Sequence, residues 1–367
     1  MTIDLGALAA NWRSLRDRAG AAECAAVVKA DAYGLGIEPA VEALRRAGCR
    51  TFFVAHLSEA MRVRTVGGDA TIYVLNGLLP GTADIYAKHA LRPVLGSRDE
   101  IAEWAAASRT VGRKLPAAIH IDTGMNRLGL RAEEASDIGR SALLRDFEPA
   151  LVMSHFVSSE EAADPLNAGQ IAAFETTRHA FPGIPASLCN SSGIFLSQRS
   201  QFDLVRPGYA LYGGNPTPGR QNPMQGVVRL EGRIVQIRTA GPGETVGYNA
   251  QWTAGGERRL ATISVGYADG YPRAASATDA KRVGEAPQGE AIVAGRRCPF
   301  AGRVSMDLIS IDVTEVPAGD VRRGDLVTLV GGELTIDEVA RRAGTIGYEI
   351  LTSLGRRYAR TYRGAET

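Results

Sequence analysis

Cysteine is scarce in this chain, and its four copies, Cys24, Cys49, Cys189 and Cys298, show no CxxC spacing. That argues against a disulfide framework or a zinc site and fits buried thiols in a reducing compartment. Neither sign of charge dominates. With 42 basic residues against 40 acidic ones and no dense Lys/Arg block, the chain has no electrostatic footprint for nucleic acid. No apolar run reaches the roughly eighteen residues of a membrane helix, and the N-terminus lacks the basic region and apolar core of a signal peptide. A cytoplasmic protein with a small-molecule partner, and with neither nucleic acid nor membrane, is therefore expected. The chain opens abruptly on "MTIDLGAL", so a few residues are expected upstream of it. No GxGxxG follows the first apolar run, which argues against an open dinucleotide-binding sheet.

What is present is length and alternation. At 367 residues the chain can hold two sizeable domains and bury its own cores. Between residues 24 and 207 eight short apolar runs occur: "AAVV", "TFFVA", "TIYVL", "LRPVL", "AAIHI", "ALVMS", "PASLC" and "DLV". The segments between them, such as "IEPAVEALRRAG" and "SRDEIAEWAAASRT", carry apolar residues at three-to-four spacing and open on Ser, Asn or Pro signals. Regular alternation of this kind predicts parallel pairing, and eight strands predict a (β/α)₈ barrel, with "LGALAANWRSLRDRA" as a leading helix. From about residue 226 the texture changes to strands and turns, with one helix expected at "TIDEVARRAG" behind a Thr335/Glu338 capping box. The predicted fold class is α/β: a barrel over residues 1–224, then a mainly β domain over 225–367, joined through the Pro- and Gly-rich stretch 213–223.

A barrel presents its functional groups just past the C-terminal strand ends. Those positions hold Lys29, then Asp122 and Arg127 in "DTGMNRLG", His155 in "SHF", Asn190 and Ser191 in "CNSSG", and Arg206 in "VRPGYALYG". Lys29 is either an ordinary solvated or ion-paired lysine or a Schiff-base lysine whose amine a partly desolvated site makes usable. Tyr33, four residues on, suits that turn as well as ordinary packing. Ser191 and the backbone at Gly208 are phosphate donors or merely turn residues. His155 can be a general base, a metal ligand or a core histidine, and no second histidine at ligand spacing supports a metal. Arg206 can bind a carboxylate, a phosphate or a ring nitrogen. Spacing alone stops at a phosphate-containing ligand beside a lysine.

The strings "VVKADAYGLG", "DTGMNRLG", "SHF", "NSSG", "VRPGYALYG", "VGYN", "SVGYADGYPR", "GRVSMD" and "TIGYEI" stand in the order seen in alanine racemases, and the chain resembles that family from about residue 2 to residue 363. The resemblance implies a pyridoxal 5'-phosphate barrel followed by a β domain, and a head-to-tail homodimer whose active sites are shared between subunits. It makes Lys29 the cofactor's lysine and the base on one face of the substrate, and Tyr248 the opposite base, supplied by the other subunit. It makes Arg206 the partner of the pyridine nitrogen, with His155 against the ring. Tyr33, Ser191 and Tyr348 match phosphate-binding side chains; Asn190 and the backbone at Gly208 and Tyr209 complete the cofactor set. Arg127 and the Met306 amide correspond to substrate-carboxylate donors, and Asp164, Tyr267, Arg273, Arg303 and Ile346 to a substrate corridor.

Three departures stand out. His120 occupies a position where many relatives carry a carbamylated lysine, so either a bound anion such as chloride beside Arg127 or direct orientation by other groups is expected. Asp31 and Leu35 replace Asn and His in the turn after Lys29, adding a charge near a cofactor phosphate and removing a polar ring. Ser305 stands where some members have Cys. The resemblance implies interconversion of L- and D-alanine for peptidoglycan. The rival readings are a broad-specificity or serine racemase, a decarboxylase of the same fold type, and a non-catalytic pyridoxal-phosphate carrier.

Overall fold

Short runs rich in Val, Ile and Phe separated by amphipathic helices build the first of two units. The structure, a computed structural model, describes residues 1–196, 200–284 and 286–364. Among the described residues, Leu8–Gln225 forms one unit, and Met1–Ala7 with residues 226–364 forms the other.

In the first unit the strands are parallel neighbours in chain order. The first is broken into Glu23–Cys24 and Ala26–Val27; then come Thr51–Val54, Thr71–Val74, Arg92–Leu95, Pro116–His120, Glu148–Met153 and Ala186–Ser187. The eighth, Leu204–Val205, pairs with Glu23–Cys24, and the Asp203 and Arg206 amides donate back to the Ala186 and Cys189 carbonyls at 3.0 and 2.9 Å. The curled sheet thus closes on itself. Phe52, Phe53, Val54, Ile72, Ile119 and Val152 are all fully buried, as strands covered on both faces require.

The helices follow the expected signals. Ile37–Ala47 buries Ile37, Ala40, Val41 and Leu44 on one stripe and stops at Gly48 in a left-handed conformation (φ 111°). Arg98–Val111 starts where the Ser97 hydroxyl accepts the Glu100 amide, and Pro165–Arg178 starts where Asp164 accepts the Leu166 amide. The connection after the seventh strand differs: among the described residues it carries only a 3₁₀ turn, Gly193–Phe195. No helix among them is long and apolar enough to cross a membrane.

The second unit is built on Val228–Ala240, a strand long enough to serve two neighbours. Its first half pairs with Leu326–Val330 and its second half with Arg258–Ile263, with a register shift in each ladder. Arg258–Ile263 in turn pairs with Ile309–Asp312, and the hairpin Glu290–Val293/Arg296–Pro299 adds to Leu326–Val330. Thr2–Asp4 lies between Val228–Ala240 and Thr361–Arg363, which is why Met1–Ala7 goes with this unit and not with the barrel. Helix Ile336–Ala343 begins with the Thr335 hydroxyl accepting the Glu338 amide at 3.2 Å. The expectation of a single helix here is corrected by Gly347–Ser353 and Asp279–Val283. Both are too short to display a helical period in the sequence.

Candidate active site

The first strand ends on Val27, and after Val28 Lys29 opens a turn of unusual hand. Ala30, Asp31, Ala32 and Tyr33 all have φ between 53° and 57°, one turn of left-handed helix without a glycine, closed by Gly34 (φ 83°). Such a conformation costs on the order of 1–2 kcal/mol per residue, so contacts must hold it. They converge on Asp31. Its carboxylate accepts the Ile37 amide at 3.0 Å and pairs with Arg62 at 2.7 Å. Its own amide donates to Glu59 at 3.3 Å, and Arg62 is fastened by a two-pronged contact to Glu38 at 2.6 Å on each prong. The charge expected to bear on a cofactor phosphate therefore has a cationic partner and caps the next helix. Leu35, 1% exposed, fills the core under the same turn.

Around the half-buried Lys29 the charges are mostly positive. Burial lowers its ammonium pKa, the Arg127 cation lowers it further, and Glu59 opposes them. Arg206 is 3% exposed. Its guanidinium donates to the Ser187 hydroxyl, to the carbonyls of Ser154 (2.6 Å) and Leu188 (3.4 Å), and toward His155 Nδ1 (3.4 Å), over the Phe53 ring. No carboxylate pairs with it among the described residues. Burial pushes its pKa down to about 10, so it remains a cation at neutral pH. Burial first, and then Arg206, push His155 down to about 3 and His120 down to about 4; both rings are neutral.

A second group of contacts forms a cradle. Tyr33 stacks on Tyr212 with ring centroids 4.6 Å apart, and Tyr212 donates to the Val27 carbonyl at 3.0 Å. Ser191 Oγ, 3% exposed, accepts the Gly208 and Ala210 amides at 3.0 and 3.2 Å. A Cβ on Gly208 would lie 2.4 Å from Tyr33 Oη, so only glycine permits this approach. Asn190 Oδ1 holds the adjoining loop, accepting from Ser159 Oγ (2.8 Å) and the Gly193 amide (2.9 Å). Tyr209 is buried with its ring against Gly214.

An unbalanced buried cation, a desolvated lysine and a hydroxyl-and-amide cradle that a methyl group would fill are the donor set a phosphorylated pyridine aldehyde requires. These residues fit pyridoxal 5'-phosphate: Lys29 as its anchor, Arg206 and His155 at its ring, and Tyr33, Ser191 and the Gly208 region at its phosphate.

Arg127 is placed by its loop. Asp122 accepts the amides of Gly124, Met125 and Asn126 at 2.9–3.2 Å, and the Arg127 side chain makes no hydrogen bond or ion pair among the described residues. His120 in particular does not reach it, so direct orientation of Arg127 by that ring is not observed. Asp164, expected in a substrate corridor, is a helix cap here.

In the β unit another set of the expected residues shares one exposed edge. Tyr248, 69% exposed, follows Gly247 (φ 77°) and precedes Asn249 and Ala250, also at positive φ. Gly247 abuts the Arg303 backbone, and Arg303 donates to Gln251 at 2.8 Å. Tyr267 and Ala268 amides donate to the Ser305 and Met306 carbonyls at 3.0 Å each, and Ser305 is occupied with Leu308. The Met306 amide has no acceptor among the described residues. Ser276 ties the Arg273 turn to Val304, at 2.6 and 2.9 Å. Ile346 and Tyr348 open helix Gly347–Ser353.

Sequence reasoning missed Ser187, Ser154, Thr123, Tyr212 and Gln170, whose side chains hold the named residues in place. Ser187, Ser154, Thr123 and Tyr212 lie inside the apolar runs and motif strings of the sequence, but nothing in a single hydroxyl distinguishes a support from a surface residue.

The chain matches the alanine racemase N-terminal domain over residues 3–216 and the alanine racemase C-terminal domain over residues 227–362. It is 61% identical over 362 residues to an alanine racemase of Methylobacterium nodulans, covering 99% of this chain and 95% of that protein. It is 59% identical to an alanine racemase of Methylobacterium sp. (strain 4-46), covering 99% and 97%. Among solved structures, alanine racemase from Bartonella henselae with covalently bound pyridoxal phosphate superposes with a TM-score of 0.92 at 38% identity, covering 99% of this chain and 98% of that one.

Proposed function

This chain belongs to the alanine racemase family, and from that premise we propose that it interconverts L- and D-alanine with pyridoxal 5'-phosphate by a two-base mechanism, supplying D-alanine for peptidoglycan. The observation that carries the reading is the cradle around Lys29: a buried Arg206 with no carboxylate partner among the described residues, a neutral His155, and the Tyr33–Gly208–Ser191 contact. When bound, the cofactor delocalises charge so that the α-hydrogen of an attached amino acid becomes removable. Lys29 Nζ, already less basic through burial and the Arg127 cation, takes or returns that proton on one face. Racemisation needs a second group across the substrate plane, and Tyr248 of a second copy fills that role, its exposed position suiting a group lent to another chain. Arg206, always protonated, can only donate to a ring nitrogen, which tempers the pull on electrons and limits side reactions. Arg127 and the Met306 amide take the substrate carboxylate, with an anion such as chloride beside Arg127 where His120 offers no charge. Tyr348 joins the phosphate set, Asn190 and the Tyr209 backbone complete it, and Tyr267, Arg273, Arg303, Ile346 and Asp164 line the approach. Four buried thiols, none paired, suit a reducing compartment, and the proposal places the enzyme in the cytoplasm.

Incubation of the purified holoenzyme with L-alanine, followed by chiral separation, tests the reading. D-Alanine should accumulate to an equal mixture. Carbon dioxide without D-alanine would point to a decarboxylase, and neither product to a carrier; faster racemisation of L-serine in parallel would shift the substrate.

A further inference from the structure

The geometry points to Gln170 as a positioning residue for Arg127 and His155: its carboxamide fastens the loop that carries the arginine to the strand exit that carries the histidine. The inference rests on the reading that these two residues serve alanine and the cofactor. Gln170 lies within helix Pro165–Arg178 and is 3% exposed. Its Nε2 donates to Thr123 Oγ1 at 3.1 Å and to the His155 carbonyl at 3.0 Å, and its Oε1 accepts the Val157 amide at 2.8 Å. The Val157 amide can only donate, which fixes which end of the carboxamide is oxygen. Two N–H donors and one acceptor at this length are a combination only glutamine supplies: glutamate lacks the donors, lysine lacks the acceptor, and asparagine is a methylene short.

The fastening extends further. Thr123 Oγ1 shares a hydrogen bond of 2.7 Å with Ser154 Oγ, and the Ser154 carbonyl accepts from Arg206 at 2.6 Å. The amide thus ties two strand exits directly, and Ser154 joins them to a third, that of Arg206. Arg127 depends on it more than the others do, because its own side chain has no hydrogen bond or ion pair among the described residues and takes its position from the backbone of the Asp122–Asn126 turn. Thr123 is the second residue of that turn, and its hydroxyl is the side-chain group that pins the turn to Ser154 and Gln170.

The holoenzyme carrying Gln170→Leu tests this. The KM for L-alanine should rise about tenfold while kcat stays within about threefold, the pattern of a lost contact that orients substrate binding. The visible circular dichroism of the bound cofactor should change as well, since the His155 ring no longer faces it at a fixed angle. Thr123→Val should shift both readouts in the same direction and Thr123→Ser should restore them. A folded Gln170→Leu protein with wild-type KM and wild-type visible dichroism would overturn the inference, and so would a lowered melting temperature with both readouts unmoved. Should Gln170→Leu fail to fold, Thr123→Val matching the wild type in both readouts overturns it equally. A wild-type protein that does not racemise alanine would instead overturn the proposed function, and the dichroism would still report on Gln170.

Discussion

Lys29 owes its usable amine to where the first strand delivers it. Its neighbours are Arg127, which disfavours a second positive charge, and Glu59, whose oxygens are occupied by the Ala55, His56 and Asp31 amides. Lys29→Ala is expected to abolish the visible absorbance of lysine-bound cofactor together with activity. Tyr248→Phe should keep that absorbance and lose at least about a hundredfold in racemisation, the usual scale of a missing general acid. In deuterium oxide it should still exchange the α-hydrogen of one alanine enantiomer. Unchanged racemisation by Tyr248→Phe would remove the second base from the mechanism. The two buried histidines make a further expectation. Their protonation is suppressed in the folded protein, to about 3 for His155 and about 4 for His120, against the ordinary 6.5. Below pH of about 6.5 the unfolded chain therefore binds protons that the folded one does not. The stability these rings contribute is complete above that pH and is lost as pH falls toward about 4 and then about 3. Denaturant melts across this range should show a declining midpoint, and replacing both rings by Gln should flatten the decline.

At the scale of elements, the left-handed turn Ala30–Tyr33 is the part of the site most exposed to remote changes. It survives because Asp31, Arg62, Glu38 and Glu59 clamp it from outside. Arg62→Ala should cost about 1 kcal/mol of stability, the scale of a partly exposed ion pair. It should weaken cofactor binding disproportionately, since Lys29 and Tyr33 bracket the turn. Equilibrium titration of the apoprotein with pyridoxal 5'-phosphate measures this, and Asp31→Asn, which keeps the acceptor for the Ile37 amide, should weaken binding less than Asp31→Ala. Equal affinities for wild type and Arg62→Ala would show that the turn needs no clamp. The legibility of the site divides along the same line. The strand exits bearing Lys29, Arg206 and His155 could be read because a parallel barrel assigns function to those places before any coordinates exist. The four consecutive left-handed residues could not, since Ala-Asp-Ala-Tyr has no glycine to announce them. Nor could Arg62 or Gln170, which sit on outer helices where polar residues are the rule. Helix Gly347–Ser353 escaped for a different reason: it is packed into place and has too few turns to show a stripe.

At the scale of the whole molecule, the proposed sharing of Tyr248 makes activity a property of two chains. Lys29→Ala and Tyr248→Phe proteins, each inactive alone, should regain part of the activity when unfolded together and refolded, because mixed pairs then contain one site with both bases intact. Mixed pairs demonstrated by differential tagging, yet without activity, would place both bases in a single chain. One feature of the β unit bears on how such a chain is made. Thr2–Asp4 is held between Val228–Ala240 and Thr361–Arg363, pairing Thr2 with both Arg229 and Thr361. Thr2–Asp4 thus waits for a strand about 360 residues further along the chain before its sheet is complete. The barrel's own strands, each beside its successor, can assemble while synthesis continues. Stalling translation shortly before Tyr362 should leave a nascent chain with a protease-resistant barrel and a cleavable Thr2–Asp4 segment.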